Sequence, residues 1–193
     1  MWSRGASGKI NAGVHLDGTD DYVDIAYDSR FDFGASQDFT IATWVKSTLP
    51  QNPILWPHMI SHEDNDVSRQ GYNLIAANVD VNPEWYFQIY TSNTMYVAYG
   101  RSNIRDGTWH HIVGMRQGSN LITYEDGKYV RTVAASSGTL VQSSPLRLGG
   151  NANVSPDSWS IFGGQLDDVR IYNYALTSVQ VKDIYNNGAV SFK

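Results

Sequence analysis

Short runs of β-branched and aromatic residues recur along the whole chain, separated by clusters of Gly, Asn, Asp, Ser and Pro. This pattern is typical of an all-β sandwich, because such runs pack well on a pleated surface and the intervening residues form turns. More strands are indicated than the roughly seven to nine of an immunoglobulin-type sandwich. The predicted strands lie near Ala12–Leu16, Tyr22–Ala26, Phe39–Lys46, His58–His62, Tyr72–Ala77, Trp85–Thr91, Met95–Tyr99, Trp109–Arg116, Leu121–Glu125, Tyr129–Val133, Leu146–Leu148 and Gly164–Tyr172.

Two local motifs add detail to this pattern. Asp126-Gly127 supplies the two residues of positive φ that a type I′ turn requires, and this predicts a hairpin over Leu121–Val130. Thr177 and Gln180 have the spacing of a capping box, and Asn187-Gly188 offers a left-handed stop. One short helix is therefore predicted near the C-terminus, with an apolar face made by Val181, Ile184 and Tyr185.

Length and charge indicate one folded domain over residues 1–193. The chain has 14 Lys and Arg against 19 Asp and Glu, a net charge of −5, and 41% hydrophobic residues. This balance argues against disorder and against binding to nucleic acid or to acidic membrane surfaces. No run of about 18 apolar residues occurs, so membrane insertion is not expected. The chain lacks Cys, so any staple beyond packing would be a cation held by oxygen ligands.

Six phrases follow one another in order between Gly8 and Tyr185. Together they resemble the laminin G-like domains of the concanavalin A-like lectin/glucanase superfamily. The phrases are LDGTDDYVDI at 16–25, FTIATWVK at 39–46, DGTWHHIV at 106–113, YEDG at 124–127, LRLGG at 146–150 and FGGQLDDVRIYNYALT at 162–177.

The resemblance implies a jelly-roll sandwich of two curved antiparallel sheets with one short C-terminal helix. It also implies an accessory module of a secreted or cell-surface protein, with the rest of the parent chain as one partner. Family members usually begin with a further strand before the phrase at Leu16, and here Met1 stands where that strand would have ended. We therefore expect a fragment of a larger multidomain protein, located outside the cell or at its surface.

Aspartates near both ends of the chain are candidate metal ligands. Leu166 and Val169 cannot both face inward on a strict alternation, so a bulge is expected at Asp167-Asp168. Related modules often hold a structural calcium near these segments, which makes Asp17, Asp20 and Asp168 the candidate ligands by resemblance. The alternative is that Asp17-Gly18 is simply a turn and that Asp168 pairs with Arg170.

Two other polar groups have weaker metal-binding signals. Glu63-Asp64-Asn65-Asp66 offers alternating oxygen ligands, although four polar residues are also an ordinary loop. Adjacent strand histidines such as His110 and His111 point to opposite faces, which argues against a shared zinc ion.

Aromatic side chains are the candidate ligand-binding groups, because a sugar ring stacks its C–H face on a flat aromatic ring. Tyr86, Gln88 and Tyr90 share one face of their strand, and Trp85, Phe87 and Ile89 face the core. Trp44 and Trp109 lie in family phrases and are assigned to the interior. The candidate ligand-binding residues are Trp56, Tyr86, Tyr90, Tyr96, Arg101 and Trp159.

These features favour a non-catalytic, lectin-like module that binds an oligo- or polysaccharide and carries a structural calcium. A second hypothesis is an adhesion or structural module that contacts protein. A polysaccharide lyase or glycoside hydrolase is the third, although no nucleophile elbow, Walker loop or Glu-x-Asp-x-x-Glu strand occurs. The sequence leaves open whether a concave sheet face or the loop rim binds the ligand.

Overall fold

The computed structural model describes residues 8–48, 56–64, 69–76, 85–153 and 160–189. This part of the chain is almost entirely β-structure, which confirms the predicted class, and every predicted strand is present. The elements are β1 Val14–Asp17, β2 Val23–Ile25, β3 Phe39–Lys46, β4 His58–Glu63, β5 Gly71–Ala76, β6 Trp85–Thr91, β7 Thr94–Tyr99, β8 His110–Gln117, β9 Asn120–Glu125, β10 Lys128–Ala134, β11 Leu146–Leu148, β12 Gly163–Tyr172 and α1 Ser178–Ala189, with a 3₁₀ turn at Ser29–Phe31.

The strands form two antiparallel sheets of six. The first sheet has the order β1-β12-β3-β8-β9-β10, and the second sheet has the order β2-β11-β4-β5-β6-β7. The chain crosses repeatedly between the sheets, as it does in a jelly roll. Each sheet has an inner face turned to the other sheet and an outer face turned away from it, and the two outer faces differ in composition.

The inner faces enclose an aromatic and aliphatic core. Phe33 stacks on Phe39 with ring centroids 4.1 Å apart, and Phe39 also contacts Tyr72 and Phe87. Gly114 lies directly under Phe87, where an added Cβ would come within 2.4 Å of the Phe87 ring. The two sheets approach closely at this point because β8 carries a glycine there.

Helix α1 covers the outer face of the first sheet. Val181 and Ile184 pack against Val113 and Ile122 in a second buried apolar cluster. The predicted capping box is confirmed, since Gln180 N donates to Thr177 Oγ1 and Thr177 N donates to Gln180 Oε1. The helix continues through the predicted stop at Asn187-Gly188 and ends at Ala189.

Two further local predictions are confirmed. Asp126 and Gly127 both have positive φ, as the type I′ hairpin requires. The register of β12 on β3 shifts between Asp167 and Arg170, and Asp168 adopts φ +50°. The chain therefore bulges at the aspartate pair, as the positions of Leu166 and Val169 indicate.

The two tryptophans assigned to the interior have different environments. Trp44 is buried, but it lies on the outer face of the first sheet, where its ring stacks on Tyr185 of helix α1 at 5.4 Å. Trp109 immediately precedes β8 and is only half-buried, so its assignment to the core was wrong. Strand alternation predicts which face of the sheet a side chain lies on, but it does not show what covers that face.

Candidate functional site

A row of mostly polar side chains crosses the outer face of the second sheet. The strand registers place its members side by side, and six strands at about 4.8 Å spacing give the row a length of about 24 Å. We call it the polar row, and its members are Asp24, Arg147, Ser61, Asn73, Gln88 and Val97. A sheet face of this composition is unsuited to packing under a helix.

Three aromatic side chains form a platform beside the polar row. Trp56 and Tyr99 are 42% and 39% exposed, and Tyr86 lies buried between them. Tyr86 meets each of them edge to face, with ring centroids 6.3 Å from Trp56 and 5.7 Å from Tyr99. We call Trp56, Tyr86 and Tyr99 the aromatic platform. Its two exposed rings offer flat apolar surfaces of the kind on which sugar rings stack.

Tyr90 lies on the same face of β6 as Tyr86, four residues or about 13 Å along the strand. The Arg69 guanidinium carbon sits 3.8 Å from the centroid of the Tyr90 ring, and Nη1 donates to the Tyr90 hydroxyl oxygen at 2.9 Å. Burial raises the pKa of Tyr90. The hydroxyl therefore stays protonated and neutral at physiological pH.

Glu63 connects the side chains around the polar row. Its Oε1 accepts from Arg69 Nη2 at 2.5 Å and from Asn151 Nδ2 at 3.2 Å, and its Oε2 accepts from Asn73 Nδ2. Glu63 and Asn73 are fully buried. Within the described ranges, Asn73 Oδ1 has no hydrogen-bond partner. A buried carbonyl oxygen without a donor is costly, so this atom is a point where a donor from a ligand or water would be favourable.

His58 holds the backbone of Trp56. Its Nδ1 lies 2.6 Å from the Trp56 carbonyl oxygen, which only accepts, so Nδ1 carries the proton. Its Nε2 lies 3.4 Å from Asn151 Nδ2 and serves as the acceptor. Burial lowers the pKa of His58 to about 3, which keeps the ring neutral. Hydrogen bonds thus link Trp56 through His58 and Asn151 to Glu63.

The structure brings some of the predicted ligand-binding residues together and separates others. Trp56, Tyr86 and Tyr90 share the outer face of the second sheet. Tyr96 is paired with Ile89 and packs against the core, so its placement on the ligand-facing side is corrected. Arg101 is exposed beyond the end of β7, where its backbone N donates to Glu125. Trp159 lies outside the described residues.

Gln88 lies on the face of Tyr86 and Tyr90, as alternation predicts. Tyr99, Asn73 and Arg69 are site residues that the sequence analysis did not select. Alternation in β5 could have indicated Asn73, because Tyr72 and Leu74 on either side of it are core residues. The face taken by Tyr99 depends on the turn at Ser92-Asn93, where both residues have positive φ. Neither residue is a glycine, so the turn gave no strong hairpin signal.

The candidate calcium ligands fall into two places. Carboxylate oxygens of Asp17, Asp20 and Asp21 lie within 4.8 Å of one another at the end of β1. Asp17 Oδ1 also accepts from Thr19 N at 2.8 Å, which closes the turn. Asp168 is elsewhere, because Asp17 pairs with Gly163 and five residues of β12 span about 15 Å.

Asp168 pairs with Arg170, whose Nε donates to Asp168 Oδ1 at 2.7 Å. The other carboxylate oxygen, Oδ2, is buried and has no partner in the described part of the chain. In the second acidic segment, Glu63 is the buried acid at the end of β4, while Asn65 and Asp66 lie outside the described residues.

Another cluster of titratable side chains lies at the β8–β9–β10 end of the first sheet and contains His110, Glu125 and Asp126. These side chains already make hydrogen bonds within the protein. Glu125 Oε2 accepts from Trp85 Nε1 and from the backbone N of Arg101 and Ser102. His110 Nδ1 lies 3.1 Å from Asp126 Oδ2, and this carboxylate raises the pKa of His110. These contacts fix the loop after β7 and the hairpin turn, and they indicate a structural role.

The fold and the outer face described above define a jelly-roll domain of a class that includes lectins, adhesion modules and glycan-active enzymes. A laminin G-like sequence profile described as the Concanavalin A-like lectin/glucanases superfamily matches residues 17–182. The chain therefore belongs to the laminin G-like family of this superfamily, as the six phrases indicate.

Several solved structures with the same fold are binding domains. The binding domain of Paraclostridial Mosquitocidal Protein 1 is 14% identical over 94% of this chain, with a TM-score of 0.75, and the match covers 44% of that chain. This chain thus spans less than half of that binding domain. At such identity the likeness concerns the fold alone.

Two other structures extend the comparison. Domain 4 of AbnA, a GH43 extracellular arabinanase from Geobacillus stearothermophilus in complex with arabinotriose, is 20% identical over 93% of this chain and 79% of that chain, with a TM-score of 0.67. The binding domain of botulinum neurotoxin DC in complex with rat synaptotagmin II is 13% identical over 86% of this chain and 40% of that chain, with a TM-score of 0.61.

No curated protein sequence matches the chain. Within the residues that the structure describes, no helix has the length and apolar character needed to cross a membrane.

Proposed function

We propose that the chain is a non-catalytic carbohydrate-binding module whose ligand lies on the outer face of the second sheet. The observation that carries this proposal is the aromatic platform beside the polar row. Two exposed rings flank a buried one, and amide side chains on neighbouring strands supply hydrogen-bonding groups. Stacking on aromatic rings combined with amide hydrogen bonds is the chemistry that recognises a sugar.

The contacts of the polar row define what each residue contributes. Trp56 and Tyr99 would stack sugar rings, and Arg69, whose side chain is 29% exposed, would donate to hydroxyl groups. Among the residues that the structure describes, the buried Asn73 Oδ1 is an acceptor without a donor. The complex of the similar arabinanase domain with arabinotriose supports a sugar as the ligand class.

The acids of this face support a binding role over hydrolysis. A glycoside hydrolase commonly needs two carboxyl groups about 5–9.5 Å apart, one of them free to act as an acid. Glu63 is paired with Arg69, and Asp24 is paired with Arg147. Neither of these two carboxylates is therefore free to act as the acid.

The proposal includes a setting outside the cell or at its surface and a structural calcium. The similar arabinanase is named as extracellular, which supports the setting. The Asp17, Asp20 and Asp21 turn gathers three carboxylates, and such hard oxygen donors suit calcium, which takes six to eight oxygen ligands. Bound calcium would neutralise mutual repulsion in this turn.

Protein contact is the second candidate function. Within the described residues, β7 is an edge strand of its sheet, and it exposes Met95 and Tyr99. An unpaired strand edge with apolar side chains can accept a strand from another protein. The complex of a similar toxin domain with synaptotagmin II supports this alternative.

A glycan array tests the proposal. The 193-residue chain, Trp56→Ala and Tyr174→Ala would be applied to the same array. Tyr174 is an equally exposed tyrosine that precedes helix α1, away from the second sheet, so it is the matched control. We expect hits for the wild type and Tyr174→Ala that Trp56→Ala loses. An array without hits, combined with binding to a protein or to the rest of the parent chain, would favour the second candidate.

A further inference from the structure

Two arginines reach the outer face of the second sheet, and each is paired with a carboxylate there. Arg69 Nη2 lies 2.5 Å from Glu63 Oε1. Arg147 binds Asp24 with two parallel hydrogen bonds, at 2.7 Å from Nε and 2.9 Å from Nη2. The formal charges of these four residues cancel, so the two ion pairs add no net charge to the face.

Arg69 is the cation at the Tyr90 end of the face, and a ligand that extends from the aromatic platform to Tyr90 would meet it. Its side chain is 29% exposed, whereas the Glu63 side chain beneath it is fully buried. Its guanidinium carbon lies over the Tyr90 ring, 3.8 Å from the centroid, and Nη1 donates to the Tyr90 hydroxyl oxygen. A guanidinium in this position would bind a sugar carboxylate through two parallel hydrogen bonds if it were not already paired.

Glu63 is held so that it keeps this pairing. Asn73 and Asn151 donate to its two oxygens from different segments, which fixes the carboxylate against Arg69. A sugar carboxylate that approached Arg69 would therefore meet the negative charge of Glu63 at close range. Like charges in a partly desolvated site repel strongly.

We propose that Glu63 sets the charge selectivity of the site, so that the face takes uncharged oligosaccharides and rejects uronate-containing or sialylated ones. This inference rests on the proposed function, because it specifies the ligand class of the same face. Glu63 acts through Arg69 and is a positioning residue in this account.

Two other arginines lie near the Tyr99 end of the face, away from Arg69, so the inference concerns the Tyr90 end. The Arg131 guanidinium carbon is 5.9 Å from the Tyr99 ring centroid. Arg101 lies beyond the end of β7, two residues after Tyr99. A contribution from Arg101 is testable separately, because its side chain is exposed.

The test compares wild type, Glu63→Gln and Asp183→Asn on an array of neutral, uronate-containing and sialylated oligosaccharides. Asp183 is exposed on helix α1, on the opposite side of the sandwich, and its replacement changes the net charge by the same amount. We expect the wild type and Asp183→Asn to bind neutral members only. Glu63→Gln should gain about tenfold in affinity for acidic members, because Arg69 becomes free to make a charge-assisted pair.

The double variant Glu63→Gln, Arg69→Gln should lose that gain. If Glu63→Gln fails to fold, the salt dependence of wild-type binding decides the question. Wild-type affinity for an acidic member should not fall between about 0.05 and about 0.5 M salt, whereas pairing of its carboxylate with Arg69 would weaken as charges are screened.

Preferential wild-type binding to acidic oligosaccharides would overturn the inference while supporting the proposed function. The inference would also be overturned if the wild type bound acidic oligosaccharides and Arg101→Gln abolished that binding. It would be overturned too if Asp183→Asn gained as much affinity for acidic members as Glu63→Gln. Absence of binding to every neutral and acidic member would overturn the proposed function itself.

Discussion

The two outer faces of this sandwich have the same β architecture and opposite chemistry. On the first sheet, Val113 and Ile122 are apolar and helix α1 buries them. On the second sheet, the corresponding surface carries the polar row, and Trp56 and Tyr99 remain exposed beside it. Burial of the first face contributes to stability. The second face combines a mostly buried polar row with two exposed aromatic rings, and exposed aromatic rings beside polar groups are the composition expected of a binding surface.

The largest expected effect is on the stability of the helix-covered face. Ile184→Ala removes a buried side chain of α1 that packs in the second apolar cluster. We expect the free energy of unfolding to fall by about 3 kcal/mol, the usual cost of such a truncation. Chemical denaturation measures the change. Glycan affinity of the folded protein should stay the same, and a parallel loss of affinity would break the separation of the two faces.

Acid should weaken both faces through buried neutral histidines. Burial lowers the pKa of His111, which packs against Trp44 and Tyr185, to about 4, and that of His58 to about 3. The unfolded chain binds these protons near pH 6.5, so stability is present above that pH and is lost as pH falls toward 4. For His111 the loss is about 3 kcal/mol. Asp126 raises the pKa of His110, which opposes the trend.

Denaturation at about pH 7 and about pH 4.5 measures this loss. His111→Phe should reduce the difference between the two pH values, because a phenyl ring cannot be protonated. His15→Gln is the control, since His15 is exposed on β1. An unchanged pH dependence in His111→Phe would show that the histidine under the helix is not the source of the acid sensitivity.

A third prediction separates the two sides of a single strand. Tyr99 belongs to the aromatic platform, and Tyr96 packs toward the core. Tyr99→Ala should weaken glycan binding about tenfold, the usual cost of losing an aromatic contact to a ligand, with little change in melting temperature. Tyr96→Ala should lower the melting temperature and leave affinity unchanged. Calorimetric titration and thermal denaturation would show a reversed pattern if the assignment of faces were wrong.

The smallest expected effect concerns the acidic turn. If calcium binds Asp17, Asp20 and Asp21, removal of the ion with a chelator should lower the melting temperature, because an ion that binds only the native state stabilises it. The shift should be about a few degrees or less, since this turn is exposed and contacts neither outer face. Asp17→Asn should abolish the shift. Equal melting curves with and without chelator would contradict the calcium proposal.

Sequence predicted the fold because the signals for it are local. Each strand is a run of β-branched and aromatic residues between turn residues, and the helix start is encoded by Thr177 and Gln180 three residues apart. The bulge at Asp167-Asp168 followed from two apolar residues whose spacing contradicts alternation. Such signals need no knowledge of partner strands.

The candidate site depended on long-range contacts that no local pattern shows. The sequence pattern predicts that Glu63 lies in a loop. It is instead a buried strand residue, and its carboxylate is held by Arg69, Asn73 and Asn151. Which of Tyr96 and Tyr99 lies on the outer face depends on the Ser92-Asn93 turn, because this turn fixes the register of β7 on β6. Trp44 is buried by a helix about 130 residues further along the chain, at a place that strand alternation does not reveal.

The most direct test of the central claim is to map the ligand by NMR. Backbone amide shifts of the 193-residue chain would be followed while the strongest neutral array hit is added. We predict that the shifted amides cluster in β5, β6 and β7 and around Trp56, with β3, β8 and helix α1 unaffected. Shifts confined to the first sheet and its helix, or to the acidic turn at Asp17, would contradict the assignment of the second sheet's outer face as the binding surface.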